Sequence, residues 1–89
     1  MGVFIVFEGG DGSGKSTQAR RLYRRLCRQS YPALLTHEPG GTPLGEVLRR
    51  WLKGRRQLST FAELSLFVAA RAQLIKEVIQ LALKSGVTV

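Results

Sequence analysis

The chain has 89 residues, of which 44% are hydrophobic and 22% are charged, and its formal net charge is +8 at pH 7. This composition is typical of one small globular domain; it excludes a disordered chain, and the only cysteine, Cys27, excludes a disulfide scaffold. No apolar run is long enough to span a membrane, and no basic region precedes the first apolar run as in a signal peptide. We therefore expect a cytoplasmic protein.

The first predicted elements are a strand and a helix. Residues 3–7 are an unbroken apolar run, which predicts a strand over residues 3–8 that is buried on both faces of a parallel sheet. Helical periodicity follows from residue 15 to about residue 29. The predicted apolar stripe of this helix comprises Ala19, Leu22, Tyr23 and Leu26.

The middle of the chain predicts a short strand, a loop and a second helix. The strand covers residues 33–36, and a Pro-Gly-Gly loop follows at residues 39–41. Thr42 has the chemistry of an N-cap, and Pro43 suits the first helical position. The second helix is therefore predicted to run from there to about Lys53.

A long third helix is predicted next. Thr60 and Glu63 have the spacing of a capping box, and Gly86 is a natural C-cap after a helix that ends near Ser85. Residues 87–89 begin another strand. Strands joined by helical crossovers predict an α/β fold with a parallel sheet. The predicted stripe of the third helix comprises Leu64, Phe67, Arg71, Leu74, Ile75, Val78 and Ala82.

Residues 9–16 read Gly-Gly-Asp-Gly-Ser-Gly-Lys-Ser and fit the phosphate-loop pattern G-x-x-x-x-G-K-[ST]. They lie between a predicted strand and a predicted helix, which is the context that the pattern requires. The glycines let backbone N–H groups turn inward around an anion, and the helix start adds further N–H groups and a positive dipole end. Lys15 is expected to reach the β- and γ-phosphates of a nucleotide, Ser16 to ligate Mg²⁺, and Thr17 to donate to the α-phosphate.

Much of the positive charge lies in two arginine-rich runs, at residues 20–28 and 49–56. A basic chain can bind nucleic acid. No aromatic stacking pattern accompanies the charge, so we interpret these runs mainly as the solvated faces of amphipathic helices. We do not expect nucleic acid as a partner.

Residues 36–42, Thr-His-Glu-Pro-Gly-Gly-Thr, form a second dense cluster just after a predicted strand, where open parallel sheets bind ligands. Together the clusters resemble the N-terminal portion of the thymidylate kinase family. Residues 7–18 look like that family's phosphate loop, and residues 36–49 look like its T-R-E-P-G-G-T-x-x-G-E-x-x-R segment. Residues 63–73 look like a third sequence block of the family. The resemblance covers essentially all of the chain, whereas family members are considerably longer.

The resemblance implies an α/β, P-loop NTPase-like three-layer fold, of which residues 1–89 are the N-terminal part of a single kinase domain. It also implies transfer of the γ-phosphoryl group of ATP, with Mg²⁺, to thymidine 5′-monophosphate (dTMP), giving dTDP in nucleotide biosynthesis, by an enzyme that is a homodimer when complete. Lys15 would be the catalytic residue and Ser16 the metal ligand. The implied ATP-binding residues are Gly9, Gly10, Asp11, Gly12, Ser13, Gly14, Lys15, Ser16 and Thr17.

The same resemblance assigns the acceptor site. Asp11 would contact the sugar of dTMP, Arg49 would lie near its phosphate, Phe67 would stack on thymine and Arg71 would hydrogen-bond the base. The implied substrate-binding residues are Asp11, Glu38, Pro39, Arg49, Phe67 and Arg71. Periodicity alone makes Phe67 a core residue and Arg71 a surface charge. His37 stands where the family usually has arginine, and because the sequence shows no partner for it we expect a structural role.

The sequence leaves other functions open. The lid and the Asp-Arg motif of the family do not occur in these 89 residues, so we expect little or no kinase activity from this chain alone. An unpaired apolar edge at residues 3–7 would favour self-association of the isolated chain. The alternatives are another P-loop nucleotide kinase, a basic non-enzymatic fragment that binds nucleic acid, and a truncated product of a kinase gene.

Overall fold

The computed structural model describes residues 2–10, 12–54 and 57–89. The chain divides into two compact units, one made of Met1–Leu35 with Ala82–Val89 and the other of Thr36–Leu81. The helical elements are α1 (Lys15–Arg28), α2 (Pro43–Lys53), α3 (Thr60–Leu74), a π-helical stretch (Ile75–Ile79) and α4 (Gln80–Lys84). None of the helices in the described ranges is both long and apolar enough to cross a bilayer.

Helix α1 confirms the first predicted helix almost to its ends. Its N-cap is Gly14, in the left-handed conformation with φ +83°, and no side chain caps the first turn. The predicted apolar stripe is also confirmed, because its four members are half-buried and the remaining residues of α1 are exposed. The half-buried residues are Ala19, Leu22, Tyr23 and Leu26. Solvent faces the other sides of the helix, as expected for an amphipathic helix.

The predicted parallel sheet is not confirmed, because the described residues contain no regular strand. Instead, residues 87–89 lie between two extended segments, at residues 3–5 and 32–34, and share parallel hydrogen bonds with both. The bonds run from Val89 N to Val3 O (3.0 Å), from Ile5 N to Val89 O (2.8 Å), from Thr88 N to Pro32 O (3.0 Å) and from Leu34 N to Thr88 O (2.8 Å). The described residues therefore pair in the predicted parallel sense without forming a regular strand.

The expected burial of residues 3–7 on both faces is wrong for this unit. Their side chains are exposed, from 38% at Ile5 to 60% at Val3 and Val6. A parallel sheet buries both of its faces only where helices cover both. In this unit α1 offers a single narrow apolar stripe, which is too little surface to cover the run.

In the unit Thr36–Leu81, the N-terminus of α2 confirms its sequence prediction. The backbone N–H of Gly45 donates to Oγ1 of Thr42 at 2.9 Å, and Pro43 occupies the first helical position. Thr42 is 4% exposed, so this cap lies in the interior of the unit. The cap fixes where the Pro-Gly-Gly loop ends and where the helix begins.

Helix α3 begins as predicted, but its cap is a different residue. Ser59 is extended, with φ −65° and ψ 156°, and its Oγ accepts from the N–H of Ala62 at 3.1 Å. The prediction that Thr60 opens the helix as a cap is therefore wrong, because Thr60 is already helical. Adjacent Ser and Thr offer the same capping chemistry, so composition does not separate them. The single helix predicted to reach about Ser85 is instead α3, the π-helical stretch and α4 in succession, and Gly86, with φ +83°, follows the end of α4 as predicted.

The predicted apolar stripe of α3 is only partly correct. The buried side chains are Ala70 and Leu74, each 1% exposed, whereas Leu64 is 60% exposed and Arg71 is also exposed. Helix α2 packs against α3. The small Ala70 side chain is the buried one because it permits close approach of two helices, and this shifts the packed face away from Leu64.

Gly45 provides a test of this packing. A Cβ at Gly45 would lie 2.7 Å from the carbonyl oxygen of Gly40. At an exposed position inside a helix, replacing Gly by Ala raises the free energy of unfolding by up to about 1 kcal/mol. Here we expect Gly45→Ala to lower the free energy of unfolding by about 1–3 kcal/mol, because the opposing atom is backbone and cannot rotate away.

Urea denaturation of Gly45→Ala and Gly10→Ala measures the effect. Gly10 is the matched control, since a Cβ there meets no atom within 4 Å. An unfolding midpoint of Gly45→Ala equal to or above that of the parent chain would contradict the prediction, because it would show that the loop at Gly40 moves away from the added Cβ at little cost.

Candidate functional site

The predicted phosphate loop forms a cavity at the N-terminus of α1. The lining residues are Gly10, Gly12, Ser13, Gly14, Lys15, Ser16 and Thr17. Gly12 and Gly14 have φ +80° and +83°, a region that side chains rarely adopt, and the N–H of Ser13 donates to the oxygen of Gly10 at 3.2 Å. The loop therefore turns tightly, and its glycines leave backbone atoms rather than side chains at the wall of the cavity.

The start of α1 supplies the donors of this cavity. The first intrahelical hydrogen bond runs from Gln18 N to Gly14 O at 3.0 Å, so the three N–H groups of residues 15–17 precede the helical ladder. Lys15 adds an ammonium group, and Ser16 and Thr17 add hydroxyl groups. Such a donor set suits a polyphosphate, and a single hydroxyl ligand suits Mg²⁺, which takes its other ligands from phosphates and water.

The remaining predicted loop residues are Gly9 and Asp11. Gly9 has φ +153°, which residues with a side chain rarely adopt, and a Cβ there would lie 2.6 Å from Oγ of Ser13, so a larger residue would strain this turn and displace the Ser13 side chain. Asp11, predicted for both ATP and acceptor contacts, lies outside the described residues. Seven of the nine predicted ATP-binding residues thus line one cavity.

In the unit Thr36–Leu81, Glu38 and Arg71 form a side-on ion pair. Nε of Arg71 lies 3.1 Å from Oε1 and 3.0 Å from Oε2 of Glu38, and Nη2 lies 2.7 Å from Oε2. The Arg71 guanidinium carbon lies 5.2 Å from the centroid of the Phe67 ring, and Phe67 is half-buried. The structure therefore brings together three predicted acceptor residues, which the sequence separates by 33 positions at most.

Glu46 is the centre of a second cluster in the same unit. Its Oε1 accepts from Nε2 of His37 at 3.0 Å and from the backbone N–H of Gly41 at 3.2 Å. Its Oε2 lies 3.8 Å from Nη1 of Arg49. These groups, first the Gly41 N–H, then His37 and Arg49, lower the pKa of the Glu46 carboxyl against the opposing effect of its partial desolvation.

The pairing of His37 with Glu46 was missed by sequence reasoning. The two residues are nine positions apart on either side of a Pro-Gly-Gly turn. No periodicity predicts contacts across such a turn, so the only available signal was that both belong to the segment that resembles the family. The structural role expected for His37 is consistent with this contact, which closes the loop onto α2.

The structure distributes the predicted acceptor residues over these two clusters. Glu38, Phe67 and Arg71 form one, and Arg49 lies beside Glu46 in the other. Pro39 is half-buried in the loop that joins them. The unit thus presents an aromatic ring beside a guanidinium group and, separately, a second arginine on α2.

The chain matches the thymidylate kinase family model over residues 7–89. It is 49% identical over 88 residues to a thymidylate kinase of Roseiflexus sp., covering 97% of this chain and 39% of that protein. It is 52% identical over 88 residues to a thymidylate kinase of Herpetosiphon aurantiacus, covering 97% of this chain and 37% of that protein. A crystal structure of thymidylate kinase from Ehrlichia chaffeensis matches with a TM-score of 0.88 and 38% identity, covering 99% of this chain and 50% of that chain.

The chain spans about two-fifths of the length of these curated relatives and half that of the solved structure. The structural likeness is close enough to confirm the P-loop NTPase-like fold class, although the regular sheet predicted for it does not appear among the described residues. The phosphate loop and the Glu38–Phe67–Arg71 cluster both lie inside the matched region. The chain belongs to the thymidylate kinase family.

Proposed function

We propose that the complete protein is a thymidylate kinase, which transfers the γ-phosphoryl group of ATP to dTMP. The observation that carries the acceptor assignment is the placement of the Arg71 guanidinium against both Glu38 and the Phe67 ring. An aromatic face with donors at its edge suits a flat base that presents hydrogen-bond acceptors. Single-domain organisation of residues 1–89 within that enzyme stays a prediction.

The phosphate loop supports the assignment of ATP as phosphoryl donor. Backbone N–H groups of residues 12–17 would bind the phosphate oxygens, and the Lys15 ammonium would lie at the β- and γ-phosphates. The Ser16 hydroxyl would hold Mg²⁺, which supplies charge neutralisation of the phosphates when bound. Lys15 is catalytic in the sense that its charge stabilises the oxygens of the transferring group.

ATP affinity tests the donor assignment. We expect Lys15→Ala to weaken ATP binding about 10- to 100-fold, because it removes a hydrogen bond between charged groups. Isothermal titration calorimetry with ATP and Mg²⁺ measures the change. Arg24→Gln is the control, since it removes one positive charge from the exposed face of the same helix. Equal losses of ATP affinity in the two variants would contradict a specific contact of Lys15, because they would show that ATP binding responds only to the net charge of the protein.

The acceptor assignment follows from donor and acceptor chemistry. Arginine only donates hydrogen bonds, and thymine presents the acceptor O4 where cytosine presents an amino group that donates. Arg71 therefore favours thymine over cytosine, while Phe67 supplies a stacking face. We place Arg49 at the acceptor phosphate, Glu38 and Pro39 at the wall of the site, and Asp11 at the sugar, the last on the family resemblance alone.

Comparison of dTMP with thymidine tests the role of Arg49. We expect Arg49→Gln to weaken dTMP binding about 10-fold or more and to leave thymidine binding unchanged, because only the nucleotide carries the phosphate. The control is Arg50→Gln, which changes the neighbouring, exposed residue of α2. Weaker binding of both ligands by Arg49→Gln would contradict a phosphate contact.

Turnover by the complete protein distinguishes this function from that of another P-loop nucleotide kinase. ATP consumption is measured with dTMP, dCMP, dAMP and dGMP as acceptors. We expect the highest kcat/KM with dTMP. A clear preference for another monophosphate would replace the proposed acceptor and keep the reaction class.

We also propose that the complete enzyme is a homodimer. Apolar side chains at helical spacing on α3 are exposed, namely Phe61 at 79%, Leu64 at 60% and Val68 at 55%. An exposed apolar row of this kind is typical of an association surface. A second copy of the chain is the partner that this proposal assigns to it.

A further inference from the structure

We propose that Glu46 is a positioning residue that holds the acceptor loop, residues 37–41, closed against the acceptor site and thereby sets the affinity for the acceptor nucleoside. This inference rests on the proposed function, because the loop carries Glu38 and Pro39, which that proposal places at the wall of the site. Glu46 acts through the loop rather than by touching the nucleotide. The family resemblance assigns Glu46 no role of its own.

Both ends of the acceptor loop are bound by one atom. Oε1 of Glu46 accepts from Nε2 of His37, the first residue of the loop, at 3.0 Å, and from the backbone N–H of Gly41, the last, at 3.2 Å. The middle of the loop lies directly beside this contact, because a Cβ at Gly40 would lie 2.5 Å from His37 Nε2 and 2.6 Å from Glu46 Oε1. A single carboxylate therefore fixes the distance between the start and the end of the loop.

The backbone of Glu46 is held by α2. Glu46 lies in the first turn of that helix, and its N–H donates to the backbone oxygen of the buried cap residue Thr42 at 2.9 Å. The N-terminus of a helix also favours a negative charge at this position. The anchor thus belongs to a regular element, whereas the loop that it holds is irregular backbone.

The closed loop is the form that completes the proposed acceptor site. Glu38, in this loop, accepts from Nη2 of Arg71 at 2.7 Å, and the Arg71 guanidinium carbon lies 5.2 Å from the centroid of the Phe67 ring. Pro39 is half-buried. These contacts bring the loop to the ring that is proposed to stack on thymine. Opening of the loop would remove this wall from the base.

Exposure makes the Glu46 contact a latch that can open without unfolding the protein. The side chain of His37 is 55% exposed and that of Glu46 is 40% exposed. Exposed polar contacts open at a lower free-energy cost than a packed core. The apparent affinity for a ligand is the intrinsic affinity multiplied by the fraction of molecules in the binding-competent form. Loss of this contact should therefore weaken acceptor binding before it affects folding.

Thymidine binding by the complete protein tests the proposal. We expect Glu46→Gln to weaken thymidine binding about 3- to 10-fold, because a neutral amide replaces charge-assisted hydrogen bonds by weaker ones. Thymidine carries no phosphate, so the lost charge beside Arg49 has little influence on its affinity. ATP affinity should change by less than about twofold, because the contact joins the acceptor loop to α2 and not to the phosphate loop. Isothermal titration calorimetry measures both affinities, and circular dichroism checks folding.

His37→Ala removes one donor of the contact and leaves Glu46 in place. We expect it to weaken thymidine binding and to raise the KM for dTMP, each about 2- to 5-fold. Saturating dTMP closes the loop again, so kcat should stay within about twofold. The double variant should bind thymidine about as weakly as Glu46→Gln alone, because both changes break the same contact. If Glu46→Gln does not fold, His37→Ala decides the question.

Glu77→Gln is the charge-matched control. Glu77 is an exposed residue whose Oε1 accepts from Nε2 of Gln73 within the same helical stretch at 2.7 Å. This variant should bind thymidine like the parent protein. An equal loss in Glu77→Gln and Glu46→Gln would contradict the proposal, because thymidine binding would then respond to net charge alone.

Three further results would overturn the inference: unchanged thymidine binding by folded Glu46→Gln, equal losses of thymidine and ATP affinity, or a lower kcat of His37→Ala at an unchanged KM. The last two are the results expected of a merely structural role. In each case, dTMP turnover by the parent protein would still support the proposed function. Failure of the parent protein to bind dTMP would overturn the proposed function itself, and this inference with it.

Discussion

The close approach of the Pro-Gly-Gly loop to α2 and α3 is the constraint on which the clusters around Arg71 and Glu46 depend. A Cβ at Gly41 would lie 2.7 Å from Cδ1 of Leu74, and one at Gly45 would lie 2.7 Å from the Gly40 oxygen. Because neither glycine has a side chain, the loop can lie directly on both helices. Glu38 immediately precedes this loop, and its carboxylate accepts from Arg71 on α3. The Glu46 carboxylate on α2 accepts from the backbone N–H of Gly41 in the loop.

Carboxylates are scarce in this chain, and their positions determine which basic side chains have an opposite charge beside them. There are 6 Asp and Glu residues against 14 Lys and Arg. Three ion pairs lie in the unit Thr36–Leu81, and their carboxylates are those of Glu38 and Glu46. The arginines of α1 face solvent, in agreement with their interpretation as a solvated helical face. Two carboxylates therefore hold the clusters around Arg71 and Glu46 together in an otherwise basic protein.

The sequence predicted what is decided locally. Capping chemistry and periodicity predict the start of α2 at Pro43, the apolar stripe of α1 and the helix end before Gly86. The structure confirms all three. Burial of residues 3–7 was wrong, because it depends on what the rest of the fold places over them. The prediction of Thr60 rather than Ser59 as the cap of α3 was wrong, because the two adjacent residues have the same capping chemistry.

The candidate site divides in the same way. The phosphate loop is one continuous segment, so its residues and its cavity could be predicted from the pattern. The contacts of Glu38 with Arg71 and of His37 with Glu46 join separate segments, and only the folded loop creates them. The resemblance indicated that these residues matter, but the partner of each had to come from the structure.

Arg49 and Arg71 show why the partner matters. Both are arginines on helices, Arg71 exposed and Arg49 half-buried, and the family resemblance places both at the acceptor. What separates them is the neighbouring carboxylate, which holds Arg71 side-on at 2.7 Å and leaves Arg49 at 3.8 Å. Since a guanidinium group keeps its charge at any pH that the protein experiences, its neighbours are the means by which the fold can vary its attraction for phosphate. The contacts that distinguish Arg71 from Arg49 therefore come from Glu38 and Glu46, the carboxylates that the fold places beside them.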